Sequence, residues 1–128
     1  MSEVRRTVGT DAAPEAIGPY SQAIAAQGLL FCSGQIPLDP DSGEIAGDSA
    51  AEQATRCLRN LAAVCEEAGT SLDRALRLTI YTTELERFAE INEAYAEFFG
   101  DDPPARAAVG VAALPKGARV AIDAIVLM

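Results

Sequence analysis

Ala75-Leu76-Arg77-Leu78-Thr79-Ile80-Tyr81-Thr82 alternates with a period of two, so one face is apolar and the other carries Arg77, Thr79 and Tyr81. This is the pattern of a β-strand, and it lies between two stretches of helical period. Residues 49 to 68 place Ala54, Cys57, Leu58, Leu61, Ala62, Cys65 and Ala68 at three- and four-residue steps, with Asp48 or Ser49 as N-cap and Gly69 as C-cap. Residues 85 to 99 put Leu85, Phe88, Ile91, Tyr95, Phe98 and Phe99 on one side, expected to be core, and Gly100-Asp101-Asp102-Pro103-Pro104 stops that helix.

Further strands are expected over residues 3 to 8, 20 to 26, 29 to 35, 105 to 113 and 118 to 127, with Gln27-Gly28 and Pro115-Lys116-Gly117 as turns. The order is βββαβαββ. Helices arrive late and only twice, which predicts the α+β class: a mixed six-stranded sheet with both helices on one face. In residues 107–114 (AAVGVAAL) and 120–127 (VAIDAIVL) both alternating faces are mostly apolar, yet two helices cover only one side of a sheet. A homo-oligomer that packs sheets together, with ligand clefts between subunits, is the expected solution.

At 128 residues the chain fits one domain, 1–128, able to bury roughly two-thirds of its unfolded surface. A formal charge of -9 repels phosphate backbones, and the only basic cluster is Arg5-Arg6, so no nucleic-acid partner is expected. No apolar run reaches the ~18 residues that span a bilayer, and MSEVRRTVGTDAAPE lacks the apolar stretch of a signal peptide. A cytoplasmic location without membrane partners is the default expectation. Cys32, Cys57 and Cys65 form no CxxC pair and the chain has no histidine, which argues for buried free thiols and against a metal site. Asp39-Pro40-Asp41-Ser42-Gly43-Glu44 lacks the EF-hand ligand pattern and is expected to be a solvated turn.

Pro103-Pro104-Ala105-Arg106-Ala107-Ala108-Val109-Gly110-Val111 sets one guanidinium at the mouth of an otherwise apolar strand. A permanently charged planar fork beside low-dielectric surface suits bidentate capture of a carboxylate or phosphate. The expected ligand is a small anion.

Ile17-Gly18-Pro19-Tyr20-Ser21-Gln22-Ala23, Phe31-Cys32-Ser33-Gly34-Gln35-Ile36-Pro37, Tyr95-Ala96-Glu97-Phe98-Phe99, Pro104-Ala105-Arg106 and Leu114-Pro115-Lys116 together resemble the reactive intermediate deaminase (RidA/YjgF) family. The resemblance runs from about Ala13 to Val126. It implies a chorismate-mutase-like subunit, a homotrimer with three clefts between subunits, and hydrolysis of 2-imino acids such as 2-iminobutanoate and 2-iminopropanoate, or their enamine tautomers, to 2-oxo acids and ammonia. No metal or organic cofactor is implied.

Carried over by position, Arg106 holds the substrate carboxylate with the backbone amide of Ala108, Tyr20 offers its hydroxyl, Ser33 and Gly34 line the wall, and Asn92 lies near the pocket. The chain also departs from the pattern. The deaminase branch has a glutamate on the last strand where this chain has Ala121, and a cysteine is often found where it has Ala108. Asp123 shares the strand face of Ala121 but stands ~6–7 Å away. A protein that binds a 2-oxo acid or other small carboxylate without turnover is the alternative implied by that loss.

Overall fold

The computed structural model of the chain describes residues 4–128. Helix α1, Ala50–Ala68, begins where the Ser49 hydroxyl accepts the Glu52 N–H at 3.1 Å and the Glu52 carboxylate accepts the Asp48 N–H at 2.8 Å, close to a capping box. It ends at Gly69, whose φ of 90° lets the Gly69 and Thr70 N–H groups turn back onto the Glu66 and Cys65 carbonyls. Ser49, not Asp48, is therefore the cap.

The strands are β1 (Arg6–Val8), β2 (Ala23–Ala26), β3 (Leu29–Gln35), β4 (Ala75–Thr82), β5 (Ala105–Gly110) and β6 (Val120–Leu127). They form one sheet in the order β1-β2-β3-β6-β4-β5, antiparallel throughout except for the β4–β5 pair. That parallel pair is joined by a crossover through helix α2, Phe88–Ala96. Gln27 and Gly28 both have positive φ, as a tight two-residue hairpin between β2 and β3 requires. The βββαβαββ order and the mixed sheet agree with the expectation.

Several boundaries differ; the last strand, expected over 118–127, begins at Val120. The strand expected over 20–26 starts at Ala23, because the buried Gln22 side chain is committed to the N-terminal segment: its amide donates to the carbonyls of Thr10, Ala13 and Pro14 and accepts the Thr10 N–H. The strand expected over 105–113 stops at Gly110, where its partner β4 also runs out. The helix expected over 85–99 opens with a 3-10 turn, Leu85–Arg87, and its α-helical part ends at Ala96. Leu85 is consequently exposed over Gly110 and not in the core. Of the strand expected over 3–8, β1 covers Arg6–Val8, and residue 3 lies outside the described residues.

Leu30, Leu78, Ile80, Ile122 and Val126 face the helices and are fully buried against Leu58, Leu61, Val64 and Ile91. Cys32, Cys57 and Cys65 are free and buried in the same layer. On the other face of the sheet Phe31, Val109 and Leu127 remain 45%, 41% and 42% exposed in the single chain. The same face also carries Arg77, Thr79, Tyr81 and Asp123, so the side that the helices leave uncovered is apolar in part.

Candidate functional site

Arg106 sits at the start of β5 in register with Leu78, so its side chain projects toward the helix layer and not onto the open face. Its Nη1 donates to Asn92 Oδ1 at 2.7 Å. Its Cζ lies 5.2 Å from the Phe88 ring centroid and 4.9 Å from that of Tyr95. Among the described residues the ion pairs are Arg87–Glu90 and Arg119–Glu84, and no carboxylate pairs with Arg106. The guanidinium thus keeps its charge beside a hollow of about 450 Å3 lined by Asn92, Tyr95, Phe99, Pro103 and Pro104. Ala108 is two residues further along this outer strand, on the same side as Arg106.

Tyr20, Ser33 and Gly34 gather elsewhere, around a hollow of about 360 Å3 that Ile17, Ile36 and Pro115 complete. The Tyr20 hydroxyl accepts the Ile17 N–H at 3.3 Å, which ties the exposed ring to its own loop. Ser33 donates its hydroxyl to the Ser21 carbonyl at 2.6 Å, and its N–H donates to Gln22 O at 2.9 Å. Gly34 has open space where a side chain would stand, so a ligand can approach its backbone closely.

β3 and β6 lose register between Cys32 and Gln35, and this bulge sets Ser33 and Gly34 opposite Asp123. Asp123 Oδ2 accepts the Tyr81 hydroxyl at 3.0 Å, and Tyr81 is the direct cross-strand neighbour of Ala121. Burial, and then Asp123, push the Tyr81 phenol above its ordinary range. Ala121 itself is buried and brings only a methyl group.

The residues carried over from the family pattern therefore divide into two sets. Strands β6 and β4 stand between β3 and β5, which puts the two sets roughly 14 Å apart across the sheet at ~4.8 Å per strand, on different sides of it. Arg106, Asn92 and Ala108 come together; so do Tyr20, Ser33 and Gly34. One chain does not bring the first set to the second. Sequence reasoning took Phe88 and Tyr95 for core and missed their contact with Arg106. The signal was present in the spacing 88, 92, 95, which selects one helix face, but nothing in the sequence said which strand that face meets.

The family model for "Endoribonuclease L-PSP" matches residues 10–128. A RutC family protein, y4sK of Sinorhizobium fredii, is 50% identical over 119 residues, spanning 93% of this chain and 94% of its own. The 2-iminobutanoate/2-iminopropanoate deaminase of Homo sapiens is 40% identical over 126 residues, 98% of this chain and 92% of its own. The crystal structure of E. coli TdcF with bound serine superposes with a TM-score of 0.91 at 40% identity, over 96% of this chain and 98% of that one. No helix among the described residues is long and apolar enough to cross a membrane.

Proposed function

The chain belongs to the endoribonuclease L-PSP (RutC/RidA) family, and from that premise we propose that it hydrolyses small 2-imino acids to 2-oxo acids and ammonia at clefts between the subunits of a homotrimer. The observation that carries this reading is Arg106: a guanidinium without a carboxylate partner among the described residues, oriented by an amide, beside a hollow of ligand size. The named deaminase relative supports the reaction class, and the serine of the TdcF structure is likewise a small carboxylate.

Assembly completes the site in this reading. An apolar sheet face covered by neighbouring copies brings the Tyr20, Ser33 and Gly34 hollow of one subunit to the Arg106 edge of the next. The iminium carbon of the substrate is already electrophilic, so the protein has three tasks: to hold the carboxylate, to present a water, and to let a proton reach the departing amine. Arg106 and the Ala108 amide take the first. The Tyr20 hydroxyl and the backbone at Gly34 border the space left for the water. Water oxygen bonds to the imine carbon, the carbon–nitrogen bond breaks, and nitrogen leaves as ammonia with the protons water has given up.

Ala121 favours a second reading, a protein that binds 2-oxo acids without turnover. A positioned acid or base contributes ~10²–10⁴-fold, and none stands at residue 121. Ribonuclease activity, which the family description names, fits poorly with a charge of -9.

Coupling the protein to a threonine dehydratase decides between the readings. A deaminase speeds decay of the released imine and lowers its trapping by semicarbazide, and Arg106→Ala abolishes the effect. A binding protein takes up pyruvate in calorimetry, loses it in Arg106→Ala, and leaves imine decay at the buffer rate. Pyruvate affinity and imine decay both unchanged by Arg106→Ala would reject the clamp.

A further inference from the structure

Positions i, i+4 and i+7 of a helix share one face, and on α2 these are Phe88, Asn92 and Tyr95. All three contact the same guanidinium. The Arg106 Cζ stands over both rings, 5.2 Å from the Phe88 centroid and 4.9 Å from that of Tyr95, so two π-surfaces of one helix face meet the same cation.

Asn92 supplies the third constraint. A neutral amide oxygen accepting from Nη1 orients the fork without cancelling its charge, which a carboxylate at the same place would do. Among the described residues the other guanidinium N–H groups have no protein acceptor, and Arg106 borders the hollow at Pro103 and Pro104.

We infer that Phe88, Asn92 and Tyr95 are positioning residues that hold the Arg106 guanidinium in place to receive a carboxylate. This rests on the proposed role of Arg106 as the carboxylate clamp. The cradle makes Arg106 a preorganised donor set: rotamer freedom of a long side chain is lost on folding and not on binding. Lysine cannot replace it, because an ammonium offers no plane for the rings to hold.

Calorimetry with pyruvate tests the cradle, using Asn92→Asp, Phe88→Leu, Tyr95→Leu, Tyr95→Phe and Arg106→Ala, each checked by circular dichroism and sedimentation. Asn92→Asp, nearly isosteric, is expected to weaken pyruvate at least about 10-fold with an unchanged fold, since the new carboxylate occupies the fork. Each ring-to-leucine change is expected to cost about 2- to 5-fold, and Tyr95→Phe, which keeps the ring, less than about 2-fold.

If Arg106→Ala loses pyruvate while Asn92→Asp and the leucine variants bind like the parent, the cradle is overturned and the clamp stands. If Arg106→Ala itself binds like the parent, the clamp reading has failed, which is a separate result. Should the leucine variants not fold, the Asn92→Asp and Tyr95→Phe pair carries the test alone.

Discussion

Tyr81 donates its hydroxyl to Asp123 Oδ2 at 3.0 Å, joining β4 to β6 on the open face of the sheet. The phenol is held above its ordinary range of about 10 by burial first and by Asp123 second. The folded state therefore binds this proton more tightly than the unfolded chain does. Stability is fully present below about pH 10 and falls as pH rises through the interval between the unfolded and folded values. Tyr95, raised by its own burial, adds to the same alkaline loss. Urea midpoints measured from pH 9 to 11 should fall with pH, and Tyr81→Phe should make that fall shallower.

Tyr95 carries the one buried side-chain polar atom without a hydrogen-bond partner among the described residues, its hydroxyl. Leaving such a group unsatisfied costs about 1–3 kcal/mol. Tyr95→Phe keeps the ring against Arg106 and Phe99 and removes the orphan. Its urea unfolding free energy should rise by about 1 kcal/mol.

Asn60 is fully buried on α1, donating to Leu38 O at 3.1 Å and Ile36 O at 3.4 Å while accepting from Arg56 Nε at 3.1 Å. It anchors the turn that follows β3, and with it Ile36 in the wall of the Tyr20 hollow. Asn60→Leu strands the Leu38 carbonyl, while Ile36 O keeps the Leu38 N–H at 2.8 Å, and should cost about 1–3 kcal/mol in a denaturant titration. Proteolysis should first become faster at this turn.

Phe31 is 45% exposed on the open face of the single chain, between its cross-strand partners Ile24 and Ile125. A charge at this position is tolerable in a lone chain and costly inside a sheet-to-sheet interface. Phe31→Glu should sediment as a folded single chain and lose both imine hydrolysis and pyruvate binding. Activity from a single-chain species would sink the shared cleft.

Cys32 and Cys57 are buried in the core; the hydrogen bond with Cys65 and then burial raise the Cys32 thiol, and burial raises that of Cys57. Protonated thiols out of reach of solvent react slowly. Ellman's reagent should leave these two unlabelled in the native protein and label them at the rate of unfolding.

Much of the fold was legible because it depends on short-range patterns. The period-two run at 75–82 is β4 to the residue, and Gly69 ends α1 as its position promised. Reading failed where a side chain overrode the pattern. Gln22, buried and bonded to three carbonyls, takes Tyr20 and Ser21 out of the strand, and the 3-10 turn at Leu85–Arg87 turns Leu85 out of the helix stripe. No local signal marks such long-range bonds.

For the candidate site the division is sharper. The amino-acid sequence alone determined the residue types: a single guanidinium after two prolines, a Gly-Pro-Tyr-Ser segment, alanine at 121, and an excess of apolar strand surface over the helices able to cover it. Only the tertiary structure decided that Arg106 turns toward α2, over two rings and onto Asn92, while Tyr20, Ser33 and Gly34 open a different hollow three strands away. The reason is physical. Alternation along a strand tells which residues share a face, but strand order and crossover geometry decide which faces and neighbours meet, and those are set by burying the whole core at once.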